Sequence, residues 1–167
     1  MLHLRALEPE DLELLYTIEN DPSVWDVTTP GAPYSHHALR QYLLQATDGW
    51  DFFATGQQRL VIETEEGVAL GLADLFNHEA THRRAEVGIA LLCEHRGKGN
   101  GEEALHELIA FARNRLCLHS LYAKVQPDNT AAVRLMQATD FLQLCTLPDW
   151  LRTPTGYQPA LLFHRIL

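Results

Sequence analysis

The chain has 167 residues, 46% of them hydrophobic and 21% charged, the balance of a globular domain large enough to build its own core. Its net charge of −9 argues against a nucleic-acid-binding surface, which needs clustered Lys and Arg against phosphate. The N-terminus has no basic-then-apolar signal pattern and no apolar run is long enough for a membrane span, so a soluble cytoplasmic protein is expected. Cys93, Cys117 and Cys145 lie far apart among apolar neighbours, with no CxxC spacing, and are expected as buried free thiols of a reducing compartment.

In chain order, LHLRAL alternates and reads as a first strand. Pro9 opens a helix whose first turn carries Glu10 and Asp11, with Leu12, Leu15 and Ile18 on one face. Asn20-Asp21-Pro22 stops it, and Ser23 to Tyr34 reads as a loop. Ser35 can cap a second helix through Gln45, with Leu39, Tyr42 and Leu43 inward. RLVIET and GVALGLADLF form a hairpin across Glu65-Glu66-Gly67. AEVGIALL is a further strand, with Gly88 a candidate bulge. A helix follows, carrying Ala104, Leu105, Leu108, Ile109, Ala112 and Leu116 at helical spacing. LYAKV is a strand, Asn129 to Thr139 a short helix, and LQLCTL and ALLFHRI close as strands. No repeat or linker interrupts residues 1–167, so one α/β domain with a mixed sheet is expected.

The stretch EHRGKGNGEEALHELIAFA, Glu94 to Ala112, carries the chemistry. A strand feeding a glycine-rich turn that opens a helix leaves backbone N–H groups pointing one way, and the helix dipole adds to them, so the site favours phosphate. Gly97-Lys98 is followed by Gly99 rather than Ser or Thr, which excludes a Walker loop. The glycines fall as GxGxG, which excludes the dinucleotide fingerprint. Arg96-x-x-Gly99-x-Gly101 instead resembles the Q/R-x-x-G-x-G/A motif with which GNAT N-acetyltransferases grip the pyrophosphate of acetyl-CoA. AEVGIALL is similar to that family's central strand, and NTAAVRLMQATDF, following LYAKV, to its second signature, with Asn129, Ala132, Leu135 and Phe141 in place. HRRAEVGIALLCEHRGKG and LRALEPEDLELLYTIENDPSV are similar to the branch holding polyamine and ribosomal-protein N-terminal acetyltransferases.

The resemblance implies a GNAT fold: a mixed, mostly antiparallel central sheet flanked by helices, with a splay between two central parallel strands. It implies acetyl transfer from acetyl-CoA, without a metal, to a primary amine. The acceptor would be a small molecule (polyamine-like, an amino sugar or an amino acid) or a protein N-terminus. A homodimer is left open, as is a non-catalytic acyl-CoA-binding module of the same fold.

Such a reaction needs a base, because a lysine-like amine has a pKa near ~10.4. Glu86 on the central strand stands near the family's catalytic glutamate; the other reading is a strand glutamate paired with Arg83 or Arg84. Leu91 or its neighbour Leu92 would offer a backbone N–H to the thioester carbonyl. Arg96 and the amides of Gly97, Lys98, Gly99, Asn100, Gly101 and Glu102 would hold the pyrophosphate, with the Lys98 side chain either adding to the field or simply solvated. Asn129 would meet the pantetheine arm and can equally cap its helix. Met136 stands where the family places its general-acid tyrosine, so the usual proton donor is missing. Trp25, Asp26 and Tyr34 are candidates for the amine pocket, since aromatic walls and a carboxylate suit a cation; Trp150 and Tyr157 are further candidates. His78-Glu79-Ala80-Thr81-His82 spells the HExxH zinc-hydrolase signature, but between two strand-like runs, where a turn is expected and not a helix.

Overall fold

A computed structural model describes residues 1–23, 32–47, 52–153 and 155–167. Strand β1 (Leu2–Ala6) leads through a single 3₁₀ turn, Pro9–Asp11, into α1 (Leu12–Glu19). Helix α2 (His36–Thr47) follows, its first turn bonded by the Ser35 hydroxyl, which accepts the N–H of Ala38 at 3.1 Å. A one-turn helix, α3 (Phe52–Thr55), precedes the hairpin of β2 (Gln58–Thr64) and β3 (Ala69–Glu79). Then come β4 (Arg84–Leu91), α4 (Asn100–Asn114), β5 (Ser120–Val125), α5 (Thr130–Ala138) and the long hairpin of β6 (Leu142–Thr153) and β7 (Gly156–Ile166).

The seven strands form one sheet in the order β1-β2-β3-β4-β5-β7-β6. Every neighbouring pair is antiparallel except β4 and β5, which are joined through α4, as a parallel pair requires a crossover. Their pairing lasts only from Arg84↔Ser120 to Glu86↔Tyr122. Beyond it, β4 stays with β3 as far as Leu91 and β5 stays with β7 as far as Val125. Each strand keeps its antiparallel partner, and the sheet opens between them.

Both faces of the sheet are covered. Helix α4 buries Ala104, Leu105, Leu108, Ile109 and Ala112 against Leu75, Val87, Leu121 and Phe163. Each such leucine contributes about 1.5–3 kcal/mol through removal from water, and Leu105→Ala would cost about 2–5 kcal/mol. On the opposite face, Leu15 and Ile18 of α1 and Leu39 and Leu43 of α2 cover Val61 and Leu72. Strand alternation sends Leu75 and Val87 to one face and Asp74, Glu86 and Gly88 to the other.

Two local expectations are corrected. Gly88 is in regular register with Asp74, and the irregularity falls between Phe76 and Glu79, where Asn77 takes a left-handed φ of 49°. All three cysteines are free, but exposed rather than buried. Apolar sequence neighbours do not bury a residue in a turn or on an outer strand: Cys117 sits at φ 51° after α4, and Cys145 lies on the edge strand β6.

Candidate active site

The glycine loop sits where the sheet opens. Gly97 and Gly99 have φ of 70° and 86°, and Lys98 between them is not left-handed. Alternating hands turn successive N–H groups toward one side, the main-chain geometry that suits an anion. Among the described residues, no acceptor takes the N–H of Gly97, Lys98, Gly99, Asn100 or Gly101. The amide of Glu102 is not free in this way: it donates to the Gly99 carbonyl at 3.1 Å. A Cβ placed on Gly97 or Gly99 would stand in open space, so these glycines are required by their φ. Asn100 braces the loop, its side chain donating to the His95 carbonyl at 2.9 Å.

Arg96 does not point its guanidinium into this cradle. Nε donates to the Leu91 carbonyl at 2.9 Å, Nη1 to the Ser23 hydroxyl at 3.0 Å, and Nη2 to the Asp21 carboxylate. The Ser23 hydroxyl and backbone, and then Arg96, hold the Asp21 carboxyl below its ordinary range.

Just past the end of β4, the Leu92 N–H donates to the Leu70 carbonyl at 2.9 Å, toward β3. Antiparallel alternation therefore turns the N–H groups of Ile89 and Leu91 the other way, into the gap left by β5. Of the two candidate amides, Leu91 faces the opening and Leu92 does not.

Glu86 lies on the α1/α2 face and is 5% exposed. Its Oε2 accepts from Asn77 Nδ2 at 2.9 Å and lies 2.9 Å from Lys124 Nζ. Neither arginine considered from the sequence pairs with it; Arg84 makes a double hydrogen bond to Glu79 at 2.8 Å. Lys124 also lies over the rings of Tyr122 and Trp150, at 5.6 and 6.0 Å from their centroids. Glu86, Lys124 and Asn77 line a cleft of about 1020 Å³. Further along it, Arg59 grips Asp74 at 2.7 and 3.0 Å, reaches Glu19 at 2.5 Å, and lies 5.7 Å from the ring centroid of Tyr42. Burial holds the Tyr42 phenol above its ordinary pKa, Asp74 and Glu19 adding to the effect against Arg59. The carboxylates Glu8, Glu19, Asp74 and Glu86 and the cations Arg59 and Lys124 line the cleft.

Asn129 caps α5, its Oδ1 accepting the N–H of Ala132 at 3.1 Å, and also lines the cleft. Met136 lines it too, 5% exposed. Tyr34 lines it and is held through its backbone by Asn20, whose side chain accepts its N–H at 2.7 Å and donates to its carbonyl at 3.0 Å. Trp150 belongs to the cleft; Tyr157 is 66% exposed and does not line it. Trp25 and Asp26 lie outside the described residues. The sequence reading missed Lys124, Asn77 and the Arg59–Asp74–Glu19 cluster. Strand alternation would have put Lys124 and Tyr122 on one face, but not beside Glu86.

The HExxH segment is the end of β3 followed by the 3₁₀ turn Ala80–His82. His78 packs against Phe52 and Phe53, ring centroids 4.5 and 5.6 Å away, and Glu79 is bound to Arg84. The helix that would set both imidazoles on one face is not formed.

This arrangement has close parallels. The sequence profile of the Acetyltransferase (GNAT) domain matches residues 1–142. An uncharacterized N-acetyltransferase p20 of Bacillus licheniformis is 27% identical over 149 residues, 89% of this chain and 83% of that protein. The spermidine N(1)-acetyltransferase of Vibrio cholerae is 27% identical over 143 residues, 85% and 79% of the two chains. The crystal structure of a Vibrio cholerae spermidine N-acetyltransferase in complex with CoA and spermine superposes with a TM-score of 0.86, at 25% identity, over 99% of this chain and 95% of that one. With a sheet that parts beside a turn of free amides, and a profile match over most of its length, the chain belongs to the GNAT family and is an acetyl-CoA-dependent N-acetyltransferase.

Proposed function

We propose that this chain acetylates a primary amine of a polyamine, with spermidine the first acceptor to test. The observation that carries the reading is the run of amides from Gly97 to Gly101, free of acceptors among the described residues, beside the gap between β4 and β5. A diphosphate fits such a cradle: several N–H donors converge at the N-terminus of a 15-residue helix, where the dipole also favours negative charge. Acetyl-CoA, when bound, supplies the activated acetyl group. Leu91 would direct its N–H at the carbonyl that gains negative charge. Asn129 would stand beside the pantetheine arm. Arg96 would act mainly by bracing the loop against the end of α1.

Glu86 would take the proton from the incoming ammonium, held in place by Asn77. The cleft suits a cationic acceptor, because four carboxylates face two cations along it, with Tyr34 and Trp150 as aromatic wall. The Vibrio cholerae and Escherichia coli relatives named for spermidine support that class. Met136 offers no proton, so the sulfur must leave as a thiolate or take its proton from the amine; a thiol near pKa ~8.5 permits this at modest cost. Exposed free thiols at all three cysteines fit a reducing compartment, the cytoplasm. Exposed Leu142 and Leu144 on the edge strand β6 suit a homodimer, which light scattering would read as twice the 18.9 kDa chain mass.

The test is release of free thiol from acetyl-CoA with spermidine. Turnover should saturate with amine, and Glu86→Gln should lower kcat by about 10²–10⁴ while calorimetry shows CoA affinity unchanged. CoA binding without thiol release on any polyamine would overturn the acceptor assignment.

A further inference from the structure

Of the 13 basic residues in the chain, only two are lysines, Lys98 and Lys124. They are the only side-chain amines an acyl donor could convert to an amide, and both lie at the site. Lys98 is in the glycine loop and exposed. Lys124 projects from β5 into the cleft, its side chain 24% exposed, with Nζ 2.9 Å from Glu86 Oε2. Tyr122 and Trp150 flank it. A primary ammonium of the chain's own thus sits on the carboxylate proposed to deprotonate the acceptor, between aromatic rings of the kind that suit a cationic amine.

We propose that Lys124 is an internal acceptor, acetylated by its own active site when acetyl-CoA is bound and no free amine competes. This rests on Glu86 being the base. The ammonium of Lys124 gives one proton to Glu86, which passes it to water. The freed lone pair on Nζ forms the new N–C bond at the acetyl carbonyl as the C–S bond breaks. The second proton leaves nitrogen for the departing sulfur, so the products are an N-acetyl-lysine, the free thiol of CoA and one released proton. The modified side chain is neutral and no longer an ionic partner for Glu86. Acetylation would therefore exchange a cation in the acceptor cleft for an uncharged amide.

Exposure alone predicts the opposite order of reactivity, with Lys98 ahead of the half-buried Lys124, and this makes the two lysines of one molecule a reference for each other. The protein is incubated with acetyl-CoA and no amine, digested, and acetylation of each lysine peptide followed by mass spectrometry. Lys124 should be modified at least about tenfold faster than Lys98. Glu86→Gln should abolish that lead and leave the slow chemical rate at Lys98 unchanged. Should that variant not fold, saturating spermidine is the second measurement: it should protect Lys124 and spare Lys98. Lys98 reacting as fast as Lys124, or an undiminished Lys124 lead in folded Glu86→Gln, overturns the proposal. Turnover of spermidine with Lys124 unmodified overturns it while the polyamine reading stands. Modification of Lys124 with no turnover of spermidine leaves it standing and removes that reading. If neither reacts, both fall.

Discussion

Arg96 and Asp21 join the glycine loop to the end of α1: the guanidinium donates to the carboxylate while its Nε holds the Leu91 carbonyl. The guanidinium that precedes the glycine loop is therefore committed to the protein. Arg96→Ala should weaken CoA binding by about tenfold, the size of one or two lost hydrogen bonds. Asp21→Asn should weaken it in the same direction, since it loosens the same brace. If Arg96 instead turned to contact the diphosphate, Asp21→Asn would leave affinity unchanged or improve it; calorimetry decides.

The two ends of the GxG segment should respond in opposite ways. Gly99 has φ 86°, so Gly99→Ala should cost about 1–2 kcal/mol, a fall of about 2–8 °C in melting temperature for a chain of this size, together with CoA affinity. Gly101 is already helical, and a Cβ there would meet Leu91 and Leu135 at 3.8–3.9 Å, ordinary contact. Gly101→Ala should hold or raise the melting temperature by helix propensity. Equal losses in both would contradict the conformational account of the loop.

Asp11 is one carboxylate whose contribution to stability should be lost in acid. Its carboxylate accepts from Arg5 at 2.7 and 2.8 Å and from the Glu8 N–H at 2.8 Å. Burial alone would raise its pKa, but these bonds outweigh burial and lower it. A depressed carboxylate contributes stability that is complete above its unfolded pKa, near ~3.9, and is lost as pH falls through the folded value. Asp11→Asn should therefore cost about 3 kcal/mol at pH 7, the lower end for breaking a buried pair because Arg5 keeps some solvent contact. The gap between variant and wild type should close as pH drops below 4 in denaturant titrations. A constant gap would show that packing, and not charge, carries the effect.

Met136 tests the missing acid. It is buried at the cleft, so Met136→Tyr should cost about 1–3 kcal/mol in overpacking. It should also raise kcat by about tenfold or more if protonation of the leaving sulfur limits turnover. An unchanged kcat in the folded variant would place the slow step elsewhere.

Much of the site was legible along the chain because it is local. The glycine loop, the strand before it and the helix after it depend on nearest-neighbour backbone conformation and on helical spacing of Ala104, Leu105, Leu108, Ile109 and Ala112. The order of strands and longer helices followed from the same periodicities, while the one-turn helix α3 is too short to show a period. β6 was read only to Leu147 but continues to Thr153, because an edge strand tolerates Pro148 where a central one would not. The exposure of the cysteines was misread, since apolar neighbours in sequence do not say which side of a strand or turn faces water.

The sequence by itself settled where the main chain would offer its amides, because left-handed glycines and a helix start are written in consecutive residues. Only the tertiary structure decided which charges meet. The end of the β4–β5 pairing at Glu86↔Tyr122 sets Lys124 beside Glu86, the irregularity after Phe76 in β3 brings Asn77 to the same carboxylate, and Arg96 turns toward Asp21. Those pairings depend on the register of strands and on loops distant in the chain, which local periodicity does not encode.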